Sequence, residues 1–171
     1  LNFDHSQKEN MTILVKNKHT LQIDEFKFKC CIGKNGSTKS KKEGDKKTPK
    51  GTFEIQNLYF RKDKIKKPIT LLKCISINKS MGWCNDIRFP RKYNKLFKIE
   101  KRVKHEKLKR KDYKYDLLIP IKYNFKKPIP GLGSCIFMHL TKDYKPTAGC
   151  IALKEKDFLI LAKITNKKDK I

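Results

Sequence analysis

Two residues that can perform nucleophilic chemistry lie eleven positions apart near the end of the chain. His139 lies near the end of the apolar run SCIFMHL, and Cys150 follows a Thr-Ala-Gly turn. A free thiol has a pKa of about 8.5, so a cysteine nucleophile needs an imidazole within reach to generate the thiolate. The spacing alone is more typical of a histidine and a cysteine that are buried independently. A strand-end histidine, a Thr-x-Gly-Cys turn and a following apolar run together favour an active site.

The turn before the cysteine supplies the other groups that acyl transfer needs. Gly149 lets the backbone adopt a positive φ or approach a substrate closely, and N–H groups beside the cysteine can then point at a developing oxyanion. The Thr147 hydroxyl can either pin the turn or bond a nearby ring nitrogen. The sequence therefore predicts catalytic roles for Cys150, His139, Gly149 and Thr147.

The histidine needs a rigid element to carry it, because an error of about 1 Å in a catalytic group can cost about 100-fold in rate. Residues 134–140 form a predicted strand. Its alternation places Cys135, Phe137 and His139 on one face and the intervening apolar residues on the other. His139 then lies at the end of a packed strand.

The rest of the chain is predicted to be rich in strands. Further strands are expected at 13–15, 21–23, 26–32, 52–60, 71–77 and 116–123, and Pro120 argues for an edge or a bulge in the last of these. Residues 33–51 are predicted to be loop, 82–96 irregular, 101–112 a short polar helix and 154–166 a C-terminal helix. This pattern indicates one mainly β domain over 11–171 after a flexible segment at 1–10.

Charge and composition narrow the function classes. The chain has 171 residues, enough for one domain with a core, and a net charge of +26 that is nearly all lysine. That charge favours any polyanion, peptidoglycan included. The same charge would suit a nucleic-acid-binding module, but the sequence contains no RNP-like string, zinc-finger spacing or basic-aromatic repeat.

Neither a membrane span nor a secretory leader is visible. No apolar run approaches the ~20 residues that a membrane helix needs, and LNFDHSQKEN lacks an apolar stretch. The chain starts at Leu1, and Met11 is an alternative start. The lack of a visible leader therefore leaves the location open.

The remaining ionisable and metal-ligating residues are predicted to be structural. The six cysteines include no C-x-x-C pair, and five of them are expected to be small buried hydrophobes. His5, His19 and His105 are predicted to be solvated. Glu43 or Asp45 is expected to cap backbone N–H groups near the site. Two carboxylates among many lysines make a metal site unfavourable, and no metal or cofactor is expected.

Five segments in order resemble the L,D-transpeptidase catalytic domain family, also called YkuD-like. The segment from His139 to Cys150 is similar to that family's histidine followed by a Ser/Thr-x-Gly-Cys turn. KKEGDKKTPKGTFEI resembles its Lys-x-Glu-Gly-Asp-x-x-Thr-Pro-x-Gly-x-Phe stretch, and GWCNDI with KYN resembles its Trp-x-x-Asp and Tyr-Asn elements. HEKLKRKDYKYD and GSCIFMHL resemble two later blocks. The similarity spans about residues 11–165.

The resemblance implies a β-sandwich or partly open barrel with a few short helices, and it assigns roles to the site. Cys150 would be the nucleophile and His139 the general base and acid, oriented by a backbone carbonyl. Gly149 and Cys150 would donate N–H groups to an oxyanion. The implied substrate-binding residues are Trp83, Asp86, Tyr93 and Asn94.

Two positions depart from the family pattern. Ala148 stands where many members have a second histidine, and Ala152 stands where many have an arginine that is thought to hold the substrate's carboxylate. Arg88, Arg91, Arg110 or a lysine of residues 39–50 could replace that arginine.

The resemblance implies peptidoglycan stem peptides as donor and acceptor, and a periplasmic or envelope location. Cys150 would form a thioester with release of D-alanine and pass the acyl group to an amine. The same site with water as acceptor would be an L,D-carboxypeptidase. A basic nucleic-acid-binding module and a cell-wall-binding module without catalysis remain the alternatives from other classes.

Overall fold

The structure is a computed structural model that describes residues 10–171, so His5 and nearly all of the predicted flexible segment lie outside the described residues. Thirteen strands and one helix form within this range. The strands β1–β13 are Ile13–Asn17, Thr20–Ile23, Phe26–Lys29, Ser37–Thr38, Thr48–Pro49, Leu58–Phe60, Cys74–Ser76, Met81–Cys84, Leu96–Lys98, His105–Lys107, Leu117–Pro120, Phe137–Leu140 and Ile151–Leu153, and helix α1 is Glu155–Ile164. The mainly β class is confirmed.

A five-stranded mixed sheet organises the domain, in the order β13-β12-β11-β6-β7. β12 pairs parallel with β13 and antiparallel with β11. One face packs on the main hydrophobic core together with α1, which buries Phe158, Leu161 and Ala162 at the predicted helical spacing. The other face carries a second, smaller core that includes Phe137 and Cys150.

Three smaller sheets surround the central one, and residues 10–171 form no closed barrel. They have the orders β1-β2-β3, β10-β8-β9 and β4-β5. The sheet β10-β8-β9 closes the second core, because Trp83 of β8 packs edge-on against Phe137 with ring centroids 5.2 Å apart. No helix within 10–171 has the length and apolar character of a membrane span.

The predicted polar helix at 101–112 is wrong. Residues His105–Lys107 form β10, which pairs antiparallel with β8 and sets Glu106 opposite Trp83. A helix that is polar on most faces has no apolar stripe to bury, whereas this segment buries Val103 and Leu108 beside the strand. The prediction of irregular structure over 82–96 is also wrong where β8 and β9 form.

Of the edge or bulge predicted at Pro120, the edge is wrong, whereas the pairing does change register there, from Leu118 with Tyr59 to Ile121 with Ile55. β11 is the middle strand of the central sheet, between β12 and β6. Pro120 is tolerated because it is the last residue of β11 and lies beyond the last pair with β6, Leu118 with Tyr59.

The predicted strands 26–32, 52–60 and 71–77 are shorter than expected, and loop 33–51 contains the short parallel pair β4-β5.

Candidate active site

The pairing of β12 with β13 places His139 and Cys150 on one face of the central sheet. His139 is the partner of Ala152 in this parallel pair, and Cys150 precedes Ala152 by two residues. Because side chains alternate along a strand, Cys150 and Ala152 share a side. Cys150, His139, Thr147 and Ala148 all line the same cavity of about 430 Å³.

His139 is buried in an orientation that leaves one ring nitrogen available. Its Nδ1 lies 2.9 Å from the backbone oxygen of Leu140, and the side of the ring packs against Tyr115 at 5.5 Å between centroids. Nδ1–H therefore donates to that carbonyl, and Nε2 keeps its lone pair. Burial lowers the pKa of His139 to about 4, so the imidazole is neutral near neutral pH and able to accept a proton.

The Cys150 thiol is held by the backbone of β12 and not by the imidazole. Its sulfur accepts the Phe137 N–H at 3.4 Å and its S–H donates to the Cys135 oxygen at 3.2 Å. Burial raises the pKa of Cys150 to about 12, and the Phe137 N–H opposes that rise. The resting site is therefore a neutral thiol beside a neutral imidazole.

Thr147 pins the turn, which is one of the two roles that the sequence left open. Its hydroxyl donates to the Cys150 oxygen at 2.6 Å and accepts the Gly149 N–H at 3.1 Å. The Gly149 N–H is therefore occupied in this structure. It can serve as an oxyanion donor only after giving up the bond to Thr147.

The turn rests on loop 33–51, and Gly149 permits the close approach. The φ of Gly149 is 141°, and a Cβ at this position would lie 2.9 Å from the backbone oxygen of Lys47. The Thr48 hydroxyl donates to the Gly149 oxygen at 2.9 Å and accepts the Gly33 N–H at 2.9 Å. One buried hydroxyl thus connects the loop to the residue before the nucleophile.

The four residues that the resemblance assigns to substrate binding lie elsewhere, because Trp83, Asp86, Tyr93 and Asn94 are at most 4% exposed and do not line this cavity. Asn94 is a hub. Its Oδ1 accepts Trp83 Nε1–H at 2.9 Å and Cys135 N–H at 3.1 Å, while its Nδ2 donates to two backbone oxygens. It thus fixes the segment whose carbonyl holds the Cys150 thiol.

Tyr93 and Asp86 also bond within the protein. The Tyr93 hydroxyl and the Ser134 hydroxyl both donate to the Glu43 carboxylate. Asp86 accepts two hydrogen bonds from the Arg88 guanidinium. Substrate binding by these residues stays a prediction, and the contacts seen here are structural.

The prediction of a capping carboxylate is confirmed, whereas only one of the two described histidines predicted to be solvated is exposed. Asp45 accepts the N–H groups of Lys42 and Lys47, which confirms the expected capping role. His19 is exposed, but His105 is half-buried with its Nδ1 2.6 Å from the Val103 oxygen, so the prediction of a solvated His105 is wrong. All six cysteines are free thiols, four of them buried and two half-buried.

Sequence reasoning assigned no role to Glu106 or Tyr115 and gave Arg110 only as one of several candidates. All three line the cavity, and the Arg110 guanidinium lies 4.8 Å above the Tyr115 ring. All three residues belong to the HEKLKRKDYKYD block, whose resemblance to the family is the sequence feature that points to them. It could not be interpreted because the segment was predicted to be a helix, whose faces differ from those of β10.

The comparisons with known proteins agree with this geometry. The family model described as YkuD, L,D-transpeptidase catalytic domain, matches residues 4–171. Proteins of that family act on peptidoglycan peptides. No curated protein and no solved structure matches the chain.

We expect Thr48→Val to lower the free energy of unfolding by about 2 kcal/mol or more, because the Gly33 N–H and the Gly149 oxygen would lose their buried partner. Urea unfolding measures this. Thr48→Ser keeps the hydroxyl and is expected to stay within about 1 kcal/mol of the wild type. A Thr48→Val variant as stable as the wild type would contradict this, and a loss confined to Thr48→Ser would assign the effect to the Thr48 methyl group instead.

Acid should destabilise the fold through His139. Its folded pKa of about 4 lies below the ordinary value of 6.5, so the unfolded chain binds more protons between these values. Stability is therefore fully present above pH 6.5 and falls as the pH drops through 4, by about 2–3 kcal/mol between pH 7 and 4.5. Urea unfolding of wild type and His139→Gln at both pH values tests this. A variant that loses as much stability as the wild type would contradict it.

Proposed function

The chain belongs to the YkuD family of L,D-transpeptidase catalytic domains, and on that basis we propose that it is a cysteine-dependent acyltransferase for peptidoglycan stem peptides. One observation carries the proposal. A thiol and an imidazole with a free Nε2 lie on the same face of a parallel strand pair and line one cavity of about 430 Å³. That arrangement meets the need of a nucleophile for a nearby base.

Acylation begins when Cys150 Sγ attacks the carbonyl of the L-centre residue, such as the diaminopimelate of a tetrapeptide stem. The thiol proton passes to Nε2 of His139 as the C–S bond forms. His139 then gives that proton to the nitrogen of the departing D-alanine as the C–N bond breaks. Because both groups are neutral at rest, proton transfer accompanies attack instead of preceding it.

The thioester on Cys150 has two fates. Attack by the amine of a second stem gives a cross-link, which is transpeptidation, and attack by water gives an L,D-carboxypeptidase. The thiol and imidazole serve both reactions equally, and we assign transpeptidation as the function. Peptidoglycan stem peptides belong to the cell envelope, so we expect the protein to act there.

Arg110 takes the place of the family's arginine in this proposal. Ala152 lies beside His139 and supplies no cation. Arg110 bonds Asp112 through Nε and Nη2 at 2.9 and 2.7 Å, while Nη1 lies 3.5 Å from Glu106 Oε2 and forms no hydrogen bond within residues 10–171. Arg88 is committed to Asp86. We therefore assign to Arg110 the carboxylate of the donor's terminal D-alanine.

Incubation of the protein with tetrapeptide muropeptides, followed by mass spectrometry, tests the proposal. The wild type is expected to release D-alanine and to carry a thioester, and Cys150→Ala should do neither. Cys74→Ala, which removes a half-buried thiol on β7, is the matched control and should remain active. A wild type that sediments with peptidoglycan without turnover would indicate a binding module. Salt-sensitive nucleic-acid binding without turnover would indicate the other alternative.

The role of Arg110 is tested by its substitution. Arg110→Gln is expected to raise the donor KM about 10- to 100-fold, because a charge-assisted hydrogen bond contributes about 1.5–3 kcal/mol. The effect should disappear for a donor whose terminal carboxylate is an amide. Arg88→Gln is the control and should leave the KM unchanged. An equal KM increase for both donors would show that Arg110 does not read the carboxylate.

A further inference from the structure

Glu106 is a carboxylate on the cavity wall with unused hydrogen-bonding capacity. Its side chain is 36% exposed, and within residues 10–171 it accepts no hydrogen bond. Glu106 Oε2 lies 3.5 Å from Arg110 Nη1, which is too long for a hydrogen bond of good geometry. Asp143, the other carboxylate on this cavity, instead accepts the Lys145 N–H at 3.2 Å and pairs with Lys145 Nζ at 3.1 Å.

The charged groups around Glu106 are mainly cationic, since Asp143 is paired with Lys145. Arg110, Lys114 and Lys145 line the same cavity, and the chain carries a net charge of +26. An acceptor amine has a pKa of about 10 and therefore arrives as an ammonium ion near neutral pH. Such a cation is repelled by this surface unless a carboxylate stands at the point of entry.

A negative charge at Glu106 hinders the first half-reaction. Burial is the larger cause of the raised pKa of Cys150, and the Glu106 carboxylate adds to it. The same charge contributes to the raised pKa of Tyr115, so Glu106 lies within electrostatic reach of the reacting groups.

We propose that Glu106 binds the ammonium group of the acceptor and so favours amine over water in the second half-reaction. This deepens the proposed function and depends on it. Glu106 and Arg110 lie side by side, so together they fit an ammonium and a carboxylate on one carbon. The acceptor class is therefore an amino-acid centre with both groups free. It occupies the place that the departing D-alanine leaves.

The deacylation step balances with the groups present. The ammonium ion held at Glu106 first releases one proton to solvent. The free amine then attacks the thioester carbonyl, forming a C–N bond while the C–S bond breaks. The surplus proton on nitrogen passes to Nε2 of His139 and from there to the sulfur of Cys150, which restores the resting thiol.

The test separates the two half-reactions. The full chain is given a tetrapeptide donor with ¹³C-labelled D-alanine or with D-alaninamide as acceptor. Released D-alanine measures acylation, and the ratio of amide product to hydrolysed tripeptide measures acceptor selection. Glu106→Gln is expected to lower this ratio at least 10-fold for both amines and to raise the acceptor KM. Its acylation rate should stay within threefold of the wild type or rise.

Two further variants act as controls. Glu106→Asp should recover part of the ratio, because it restores the charge. Glu54→Gln removes an exposed carboxylate that pairs with Lys122, neither of which lines the cavity, and it should match the wild type. An unchanged ratio in Glu106→Gln would overturn the inference, as would a parallel loss of acylation and aminolysis. A wild type that never acylates would instead overturn the proposed function and the inference with it.

Discussion

The register of the parallel pair β12-β13 is the constraint on which the site depends. The pairs Met138 with Ile151 and Leu140 with Leu153 lie in the main core, which leaves His139 on the opposite face. A slip of one residue would turn His139 into the core and its apolar neighbours into the cavity. Burial of four apolar side chains on one face therefore positions the imidazole and the thiol on the other.

The same constraint explains why the thiol is held where it is. β12 and β13 begin to pair at Met138 and Ile151, so the Phe137 N–H lies one residue before the ladder and is free to meet the Cys150 sulfur. The carbonyl of Pro120, the β11 partner of Phe137, accepts the Gln56 N–H at 2.9 Å instead. The end of the β12-β13 ladder thus supplies the sulfur with a donor from the backbone.

Motifs that are distant in sequence meet behind the thiol. Glu43 and Asn94 come from different parts of the chain, yet both hold the segment Ser134–Cys135. Thr48 performs the same task for Gly149. Residues of this kind resemble binding residues in sequence because they are polar and spaced irregularly. Asn94 and Thr48 are buried and Glu43 is exposed, but the side chains of all three form hydrogen bonds within the protein. They therefore form a frame that keeps two backbone segments in contact.

Local patterns predicted the elements that bury one face, and they failed where pairing is non-local. The alternation of residues 134–140 and the i, i+3, i+4 spacing of Phe158, Leu161 and Ala162 each carry their own signal. The sequence of β10 has no local signal of this kind, because the strand is stabilised by pairing with β8 and not by its own polar residues. Glu106 and Arg110 were therefore placed on the wrong element.

Burial that secures the geometry also opposes ionisation. It lowers the pKa of His139 and raises that of Cys150, so an ion pair is not the resting state. In the proposed acylation, a peptide carbonyl that reaches the sulfur would change this balance, because negative charge would move onto the substrate oxygen while the proton moves to Nε2. The Phe137 N–H would favour charge on sulfur during that transfer. A neutral pair would also suit the proposed deacylation, since the imidazole must again be a base when the amine arrives.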